Sequence, residues 1–265
     1  PMHKTAMEKF QEIDILSRFS FTFLFQLIRY ILVAGTAYWL FYHLKKNEWV
    51  YFKIQQKFPK NKDIVREIGY SLLTMFLFSV IGIGIYFLRK YGYTQIYTEV
   101  EKFGWGYLAL SLVLSIFWHD TYFYWTHRMM HHPKLFPYFH KVHHLSHNPT
   151  PWAAFAFHPL EAVVEAGVLV FMVILIPMHP VTLFLFLIFM VIMNVIGHTG
   201  YEIFPKHFLK TWFGSWQNTP THHNMHHQLG KGNYGLYFNL WDKWMNTNFK
   251  HYEVTFEANA SRTKE

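Results

Sequence analysis

Histidines are concentrated in two short segments of this chain at spacings that suit metal binding. Residues 127–144 read HRMMHHPKLFPYFHKVHH and contain six histidines in eighteen positions. Side chains three or four residues apart share one face of a helix, with Cβ atoms about 6 Å apart. The residues with this spacing are His127 and His131, and then His140, His143 and His144.

A second segment, TPTHHNMHH, repeats the pattern about eighty residues later. His223, His226 and His227 have the same i, i+3, i+4 spacing as the last three histidines of the first segment. His198 stands alone at the end of an apolar run, one helical turn after Asn194. Nine histidines are therefore candidates to converge on one site.

The pattern indicates a metal centre. Facing imidazoles repel one another when protonated, whereas neutral imidazole is a common ligand for iron, zinc and copper. Nine imidazoles are too many for one ion, so two ions are the economical interpretation. Ligation by nitrogen alone leaves open coordination positions and suits redox iron. The HExxH pattern that would supply a carboxylate base to a hydrolytic zinc ion is absent from the sequence.

Composition places this chemistry in a membrane protein. Of the 265 residues, 52% are hydrophobic, 21% aromatic and only 15% charged, whereas soluble domains average roughly 25% charged residues. The chain has no cysteine, which excludes disulfides and thiolate metal sites within it. Its net charge of +8 comes from basic residues between apolar runs, which favours contact with anionic lipid headgroups over nucleic-acid binding.

Long apolar stretches predict the elements that position the histidines. Each stretch is long enough, or nearly so, to span a hydrocarbon core about 30 Å thick as a helix. We expect an all-α fold, an integral membrane helical bundle of about four or five membrane-embedded helices with a cytoplasmic, helical, histidine-rich cap. The stretches are 19–44, 68–88, 105–125, 162–178 and 181–197, of which the last two resemble a helical hairpin.

Charge predicts the orientation of this bundle. The loop 45–67 carries seven Lys and Arg residues against three acidic residues, and such loops are retained in the cytoplasm. The next two spans cross out and back, and the hairpin returns to the same side. Both histidine-rich segments are thus expected on the cytoplasmic face.

Several carboxylates are candidates to orient the histidines, since metal-bound imidazoles usually donate their second N–H to an oxygen. Asp120 lies seven residues before His127, and Glu202 follows His198 by one turn. Glu161 lies at the start of the fourth stretch, and Glu165 lies one turn later, although a solvated helix start explains both equally well. Asp242 fits a helix cap or a local structural link.

The histidine motifs also resemble those of a known family. HDTYFYWTHRMMHH, FHKVHH and NTPTHHNMHH, followed by GNYGLYFNLWDKWMNT, are similar to motifs of the fatty acid hydroxylase and sterol desaturase superfamily. The resemblance covers roughly 105–250. The third motif with its NYG and WD tail is most similar to bacterial sterol-desaturase-like members and to alkylglycerol monooxygenase.

This resemblance implies a membrane-bound, non-haem di-iron enzyme that uses O₂ as co-substrate and two electrons to hydroxylate or desaturate a lipid C–H bond. Some relatives have the first histidine pair at i+5, so His132 is an alternative to His131; additional roles for His158 and His222 stay open. The ligands implied by the motifs are His127, His131, His140, His143, His144, His223, His226 and His227, with His198 as a ninth.

The same resemblance divides the chain into three parts. Residues 1–104 hold the first membrane segments and the basic loop, 105–250 form the catalytic domain, and 251–265 form a polar tail expected on the surface. An external electron donor, a ferredoxin or a small cytochrome with its reductase, is implied because the chain has no cysteine and no GxGxxG motif. The alternative functions are a membrane metal transporter or store and a membrane zinc hydrolase.

Overall fold

Five long helices form the body of the protein in a computed structural model that describes residues 14–263. The domain expectations for residues 1–13 and 264–265 therefore lie outside the described residues. Strands are absent from the described part of the chain, which contains only isolated β-bridges. The long helices are α1 (Ile15–Leu44), α2 (Asn61–Lys90), α3 (Gly104–Met130), α4 (Pro159–Leu175) and α5 (Pro180–Gly197).

The predicted membrane-type helical bundle is confirmed. Among residues 14–263, three helices are long and apolar enough to cross a membrane: α1 and α2, with 30 residues each, and α5, with 18. The other two predicted stretches form α3, which is 27 residues long and contains His119 and Asp120, and α4, which has 17 residues. Helices α1, α2 and α3 extend beyond their predicted apolar cores. Helix α4 begins three residues before its predicted stretch and ends three residues before the predicted end, and α5 adds only Pro180.

Helix α1 is continuous but changes its winding twice. It runs as an α-helix over Ile15–Tyr30, then contains a π-helical turn at Ile31–Gly35, and ends in a second one at Leu40–Leu44. At Gly35 an added Cβ would lie 3.2 Å from the Trp152 ring, so glycine allows this close approach. The turn Pro151–Phe155 thereby packs against α1, and it carries the chain from the histidines into α4.

Proline residues mark the starts of the fourth and fifth long helices. Helices α4 and α5 both start at a proline, where the missing N–H costs nothing. The preceding histidines cap these starts: Nδ1 of His158 accepts from Leu160 N, and Nδ1 of His179 accepts from Val181 N. These two histidines therefore have local structural roles.

Two further helices lie outside the long bundle: α6 (Pro220–Leu229), which carries the second histidine segment, and α7 (Tyr252–Ala260). Shorter helical turns connect the elements. They are Lys46–Trp49, Val50–Phe52, Val100–Lys102, Phe136–Phe139, Lys141–His144, Pro151–Phe155, Phe208–Lys210, Gly214–Trp216 and Leu240–Trp244.

Helix α7 contradicts the expectation of a surface tail after residue 251. Its Tyr252, Phe256 and Asn259 are buried, and the two aromatic side chains pack in a cluster with Met225 of α6. Asn259 also donates to Thr221 Oγ1 at 3.2 Å. The prediction was wrong because three inward-facing positions among polar neighbours leave only a weak helical period in the sequence.

Candidate metal centre

The nine predicted histidines converge in two adjacent groups. Within each group, every residue offers one ring nitrogen, and these nitrogens all lie within 4.8 Å of one another. The five-histidine group consists of His127, His131, His140, His144 and His226, and the four-histidine group consists of His143, His198, His223 and His227.

Adjacent histidines in the two HxxHH motifs point to different groups. His143 belongs to the four-histidine group and His144 to the five-histidine group; His227 and His226 divide in the same way. Successive side chains of a helix differ by about 100° in direction, since a turn takes 3.6 residues. A double histidine on one helical turn can therefore serve two sites at once, which explains why the motif contains neighbouring histidines.

The inner nitrogens of the five-histidine group lie at contact distance. His127 Nε2 is 2.8 Å from His140 Nε2. The Nε2 atom of His226 lies 3.1 Å from that of His131 and 3.0 Å from that of His144. His226 therefore lies at the junction of the motifs from α3, from Lys141–His144 and from α6.

The four-histidine group is equally tight. His198 Nε2 lies 3.0 Å from His223 Nε2 and 3.3 Å from the Nε2 atoms of both His143 and His227. The Nε2 atoms of His223 and His227 are 3.1 Å apart. His198, at the end of α5, is thus surrounded by the other three members.

The hydrogen bonds on the outer side of three rings show that their inner nitrogens are free to bind a cation. A backbone carbonyl only accepts, so an Nδ1 atom bonded to it carries the proton and Nε2 of the neutral ring carries a lone pair. Unprotonated nitrogens would otherwise face one another in a buried site. The bonds join His127 to Tyr234 O, His226 to Gly232 O and His198 to Asn194 O, at 2.8, 2.7 and 2.8 Å.

Spacing and charge state both fit a metal ion. Two nitrogen ligands that bind one ion at about 2.1 Å, with an angle of about 90° between the two bonds, are about 3 Å apart. This value matches the distances between the Nε2 atoms within each group. Burial lowers the pKa of His226 to about 4, and burial also holds the pKa values of His144 and His227 well below their usual range. These imidazoles are therefore neutral near pH 7, the form that binds metals.

Glu161 is the carboxylate that contacts a group member directly. Its Oε1 lies 2.6 Å from Nδ1 of His140, and both side chains are almost completely buried. Within residues 14–263, no other carboxylate makes such a contact with the nine histidines. The helix start of α4 therefore places Glu161 in the site and not in solvent.

The structure contradicts the expectation that Asp120 orients a ligand. Its Oδ1 accepts from the backbone N–H groups of Tyr237 and Phe238 at 2.8 and 3.2 Å. Asp120 thereby joins α3 to the loop that follows α6. Helical spacing placed it correctly on the buried face, but the neighbour on that face is a backbone segment.

Glu202 is also engaged by backbone amides. Its Oε1 accepts from Phe204 N at 3.0 Å, and its Oε2 accepts from Thr221 N at 3.1 Å in the first turn of α6. Burial raises the pKa of its carboxyl group to about 7. Glu202 therefore stabilises the start of the histidine-bearing helix, and the expectation of a direct contact with His198 is wrong.

Asp242 is a local structural link, the second of its two predicted roles. It accepts from Tyr234 N at 2.9 Å, from Gly235 N at 2.6 Å and from Thr247 Oγ1 at 2.6 Å. At Gly235 an added Cβ would come within 2.3 Å of a backbone oxygen, so only glycine fits the turn. The NYG and WD motifs together thus shape the loop 230–238.

This loop supplies contacts that the sequence analysis missed. The carbonyl groups of Gly232 and Tyr234 hold His226 and His127, both in the five-histidine group. Backbone oxygens have no signature in the sequence, but the NYG motif and the preceding glycine, Gly232, whose φ is +133° in the structure, were indirect signals. The described fold therefore assigns a positioning role to a loop without side-chain ligands.

The three histidines left open lie outside both groups. His132 is exposed, and its Nδ1 accepts from Lys134 N, so His131 is the member that converges. His158 caps α4. His222 Nε2 lies 3.0 Å from Asn248 Oδ1, away from both groups.

An apolar cavity among the five long helices is lined by two aromatic side chains that pack against the histidine groups. These two side chains are Phe123 and Phe157. The ring centroids of Phe123 and His127 are 4.8 Å apart, and those of Phe157 and His143 are 5.2 Å apart. The walls continue along the spans through Phe25, Ile85, Leu169, Val173 and Leu183. No pattern in the sequence distinguishes the aromatic residues that line this cavity from the many others in the apolar helices.

Comparison with known proteins identifies relatives of this arrangement. The family model described as fatty acid hydroxylase matches residues 112–247, just over half of the chain and the part that contains all nine histidines. No solved structure is detectably similar.

Among curated proteins, the chain is 32% identical over 216 residues to Delta(7)-sterol 5(6)-desaturase ERG3B of Gibberella zeae, covering 81% of this chain and 63% of that protein. It is 32% identical over 197 residues to lathosterol oxidase of Rattus norvegicus, covering 74% and 64%. It is 27% identical over 225 residues to lathosterol oxidase of Homo sapiens, covering 82% and 74%. The chain thus spans less than two thirds of the length of the first two relatives.

Proposed function

Because the chain belongs to the fatty acid hydroxylase family, we propose that it is a membrane-bound, non-haem di-iron oxygenase. It uses O₂ and electrons from an external donor to hydroxylate or desaturate a C–H bond of a lipid. The observation that carries this proposal is the meeting of two convergent histidine groups with one apolar cavity. A hydrocarbon in that cavity would lie next to both groups.

The five-histidine group and the four-histidine group would each hold one iron ion. Bound iron would supply the oxidising chemistry that an unactivated C–H bond requires. The chain's own residues do the positioning. The carbonyl groups of Gly232, Tyr234 and Asn194 fix the ring orientation of three histidines, and Glu161 accepts the N–H of His140.

The cavity would bind the substrate and exclude water. Phe123 and Phe157 line the cavity where it approaches the two histidine groups, and the apolar walls favour hydrocarbon over solvent. Removal of water protects a strongly oxidising site from side reactions. The substrate would enter from the bilayer, since the lining residues belong to the apolar helices.

We place the histidine-rich end of the bundle on the cytoplasmic side. The basic loop 45–67 supports this orientation by the positive-inside rule. The electron donor, a ferredoxin or a small cytochrome with its reductase, would then approach from the cytoplasm, on the opposite side of the histidine groups from the cavity.

A sterol-type lipid is the first substrate class to test. Two of the relatives are named for the oxidation of lathosterol and one for the desaturation of Delta(7)-sterols. The geometry of the site is compatible with either outcome of C–H oxidation, an alcohol or an alkene.

The test is untargeted lipid analysis of a naive host that expresses the wild-type chain or the His226→Ala variant. We expect a hydroxylated or desaturated lipid from the wild type under air, none without O₂, and none from the variant. Purified protein from iron-supplied cells should hold about two ions per chain. Metal flux in vesicles without O₂ consumption would favour a transporter, and zinc-dependent anaerobic hydrolysis would favour a hydrolase.

A further inference from the structure

Three ionisable side chains interrupt the apolar cavity: Arg29 of α1, His119 of α3 and Glu165 of α4, which we call the polar collar. All three are at least nine-tenths buried, with exposed fractions of 5%, 3% and 8%. Ionisable residues at this depth in apolar helices are costly unless they have a partner or a function. The collar belongs to neither histidine group.

Contacts between the helices place the collar residues at a similar depth. Arg29 Nη1 donates to Leu187 O in the middle of α5 at 2.7 Å. The ring centroid of the neighbouring Phe186 lies 5.4 Å from that of His119. The carbonyl group of Val164, the residue before Glu165, accepts a hydrogen bond from Tyr122 Oη. Tyr122 lies one turn after His119 on α3. The collar therefore crosses the cavity as one layer of three helices.

This layer lies near the metal centre. Glu165 is one turn beyond Glu161, which contacts His140, and four residues of helix rise by about 6 Å. His119 is eight residues before His127, or about 12 Å along α3. A group held by the collar would thus keep its neighbouring carbon atoms close to the two histidine groups.

The collar residues have hydrogen-bonding capacity that the described residues do not use. No hydrogen bond or ion pair to the Glu165 carboxyl is present among residues 14–263, and Arg29 Nε is buried without a partner. His119 uses Nδ1, which lies 2.7 Å from Tyr237 Oη, while its Nε2 is available. Buried polar groups normally have partners, so these atoms indicate a ligand.

The composition of the collar selects a neutral polar group. Arg29 offers N–H donors and Glu165 offers carboxyl oxygens, and the two form no ion pair with each other among the described residues, so the layer presents both donors and acceptors to a bound group. A hydroxyl group both donates and accepts, so it can pair with a carboxyl oxygen and an imidazole nitrogen together. Most of the remaining lining residues are apolar.

We propose that the polar collar binds the hydroxyl group of a sterol-type alcohol. The inference rests on the proposed function and deepens it: the hydroxyl group and the oxidised C–H bond belong to the same end of the lipid. Glu165 is the specificity-determining residue, and His119 and Arg29 complete the layer. The sequence alone singled out Glu165 as a possible ligand-orienting acid, whereas the fold directs it into the cavity.

The experiment measures equilibrium binding of tritiated probes to the purified, metal-loaded protein in lipid nanodiscs. The probes are lathosterol, its 3-deoxy analogue and its 3-hemisuccinate, which carries a negative charge. We expect wild-type protein to bind lathosterol at least about 10-fold more tightly than the deoxy analogue, the effect of leaving buried polar groups unpaired. Glu165→Leu should reduce this preference to about 2-fold or less, whereas Glu165→Gln, which keeps hydrogen bonding, should retain most of it.

Gln26→Leu is the matched control. Gln26 lines the same cavity, but its Nε2 already donates to Ser79 Oγ at 3.3 Å. This variant should change the affinities for lathosterol and the deoxy analogue by the same factor, so that their ratio stays constant. His119→Phe provides a second collar variant if Glu165→Leu does not retain two ions per chain, and it should also lower the ratio.

Three results would overturn the inference: equal binding of lathosterol and the deoxy analogue by the wild type, including no binding of either; an unchanged ratio in the collar variants; or tighter binding of the hemisuccinate, which would assign the collar to an anion. Failure of the proposed function has a different signature. In that case no O₂-dependent lipid product forms although the collar still selects for the hydroxyl group.

Discussion

The two histidine groups differ in what surrounds them. In the five-histidine group, outer partners hold three rings: Tyr234 O, Gly232 O and the carboxylate of Glu161. In the four-histidine group, Asn194 O holds His198, whereas the Nδ1 atom of His227 is buried without a hydrogen-bond partner among the described residues. The five-histidine group is oriented by the loop 230–238 and by the carboxyl group of Glu161. The four-histidine group is oriented mainly by the helices that carry its members.

The presence or absence of outer hydrogen-bond partners should affect how tightly each histidine group binds an ion. Outer partners fix ring orientation and increase the basicity of the ligand, so the five-histidine group should bind its ion more tightly. The four-histidine group offers one imidazole fewer and no carboxylate contact within residues 14–263, and it therefore leaves more of the coordination sphere to other molecules.

The largest effect should follow from removing one ligand in each group. His226→Ala and His223→Ala should each lower lipid oxidation more than about 100-fold, because both ions are needed, while each variant retains about one of two ions. Metal analysis by mass spectrometry alongside product analysis checks this. Loss of both ions from either variant would show that the groups do not bind independently.

Acid should destabilise the metal-free protein through its buried histidines. Burial lowers the pKa of His226 to about 4, whereas an unfolded histidine has a pKa of 6.5. Between these values the unfolded chain binds a proton that the native imidazole does not, so stability is complete above pH 6.5 and falls as the pH decreases towards about 4. Thermal unfolding of the metal-free protein from pH 7.5 to 4.5 measures this; a flat profile over that range would contradict it.

Glu161→Gln should affect one group selectively. The amide keeps the size of the side chain but replaces the carboxyl group that contacts His140, and such outer changes typically cost about 10- to 100-fold in metal affinity or activity. Chelator titration should show weaker binding of one ion and unchanged binding of the other. Glu202→Gln is a suitable comparison, since its contacts are with backbone amides and with no histidine.

Asp242→Asn should produce the smallest change, also confined to the five-histidine group. One amide oxygen can replace only part of the acceptor set for Tyr234 N, Gly235 N and Thr247 Oγ1. We expect the loop 230–238 to loosen and the affinity for one ion to fall about 3- to 10-fold, within the range of outer contacts. Hydrogen exchange at residues 230–238 reports the loosening directly, and an equal loss from both groups would refute the separation.

Spacing along the chain predicted the convergent histidines well. Helical periodicity relates His127 to His131 and His223 to His227 without any knowledge of the fold, because each pair lies on one turn of one helix. The membrane spans were equally accessible, since length and apolarity are properties of single segments. Local patterns therefore determined most of what the sequence could reveal.

Contacts between segments were not accessible in this way. Spacing placed Asp120 on the face of His127, but only the packed structure shows that Tyr237 N occupies its oxygen. The carbonyl partners of His127 and His226 have no side-chain signal, and the buried face of α7 consists of three positions. Which side chain meets which is set by tertiary packing, and one sequence does not encode it visibly.

Helix α7 has a consequence for how the protein matures. Phe256 and Tyr252 support α6 from behind, and α6 contributes His226 to one group and both His223 and His227 to the other. Helices α6 and α7 must therefore both have left the ribosome before either cluster of imidazoles gains its last members. In the proposed di-iron enzyme, iron acquisition would follow the synthesis of all five long helices.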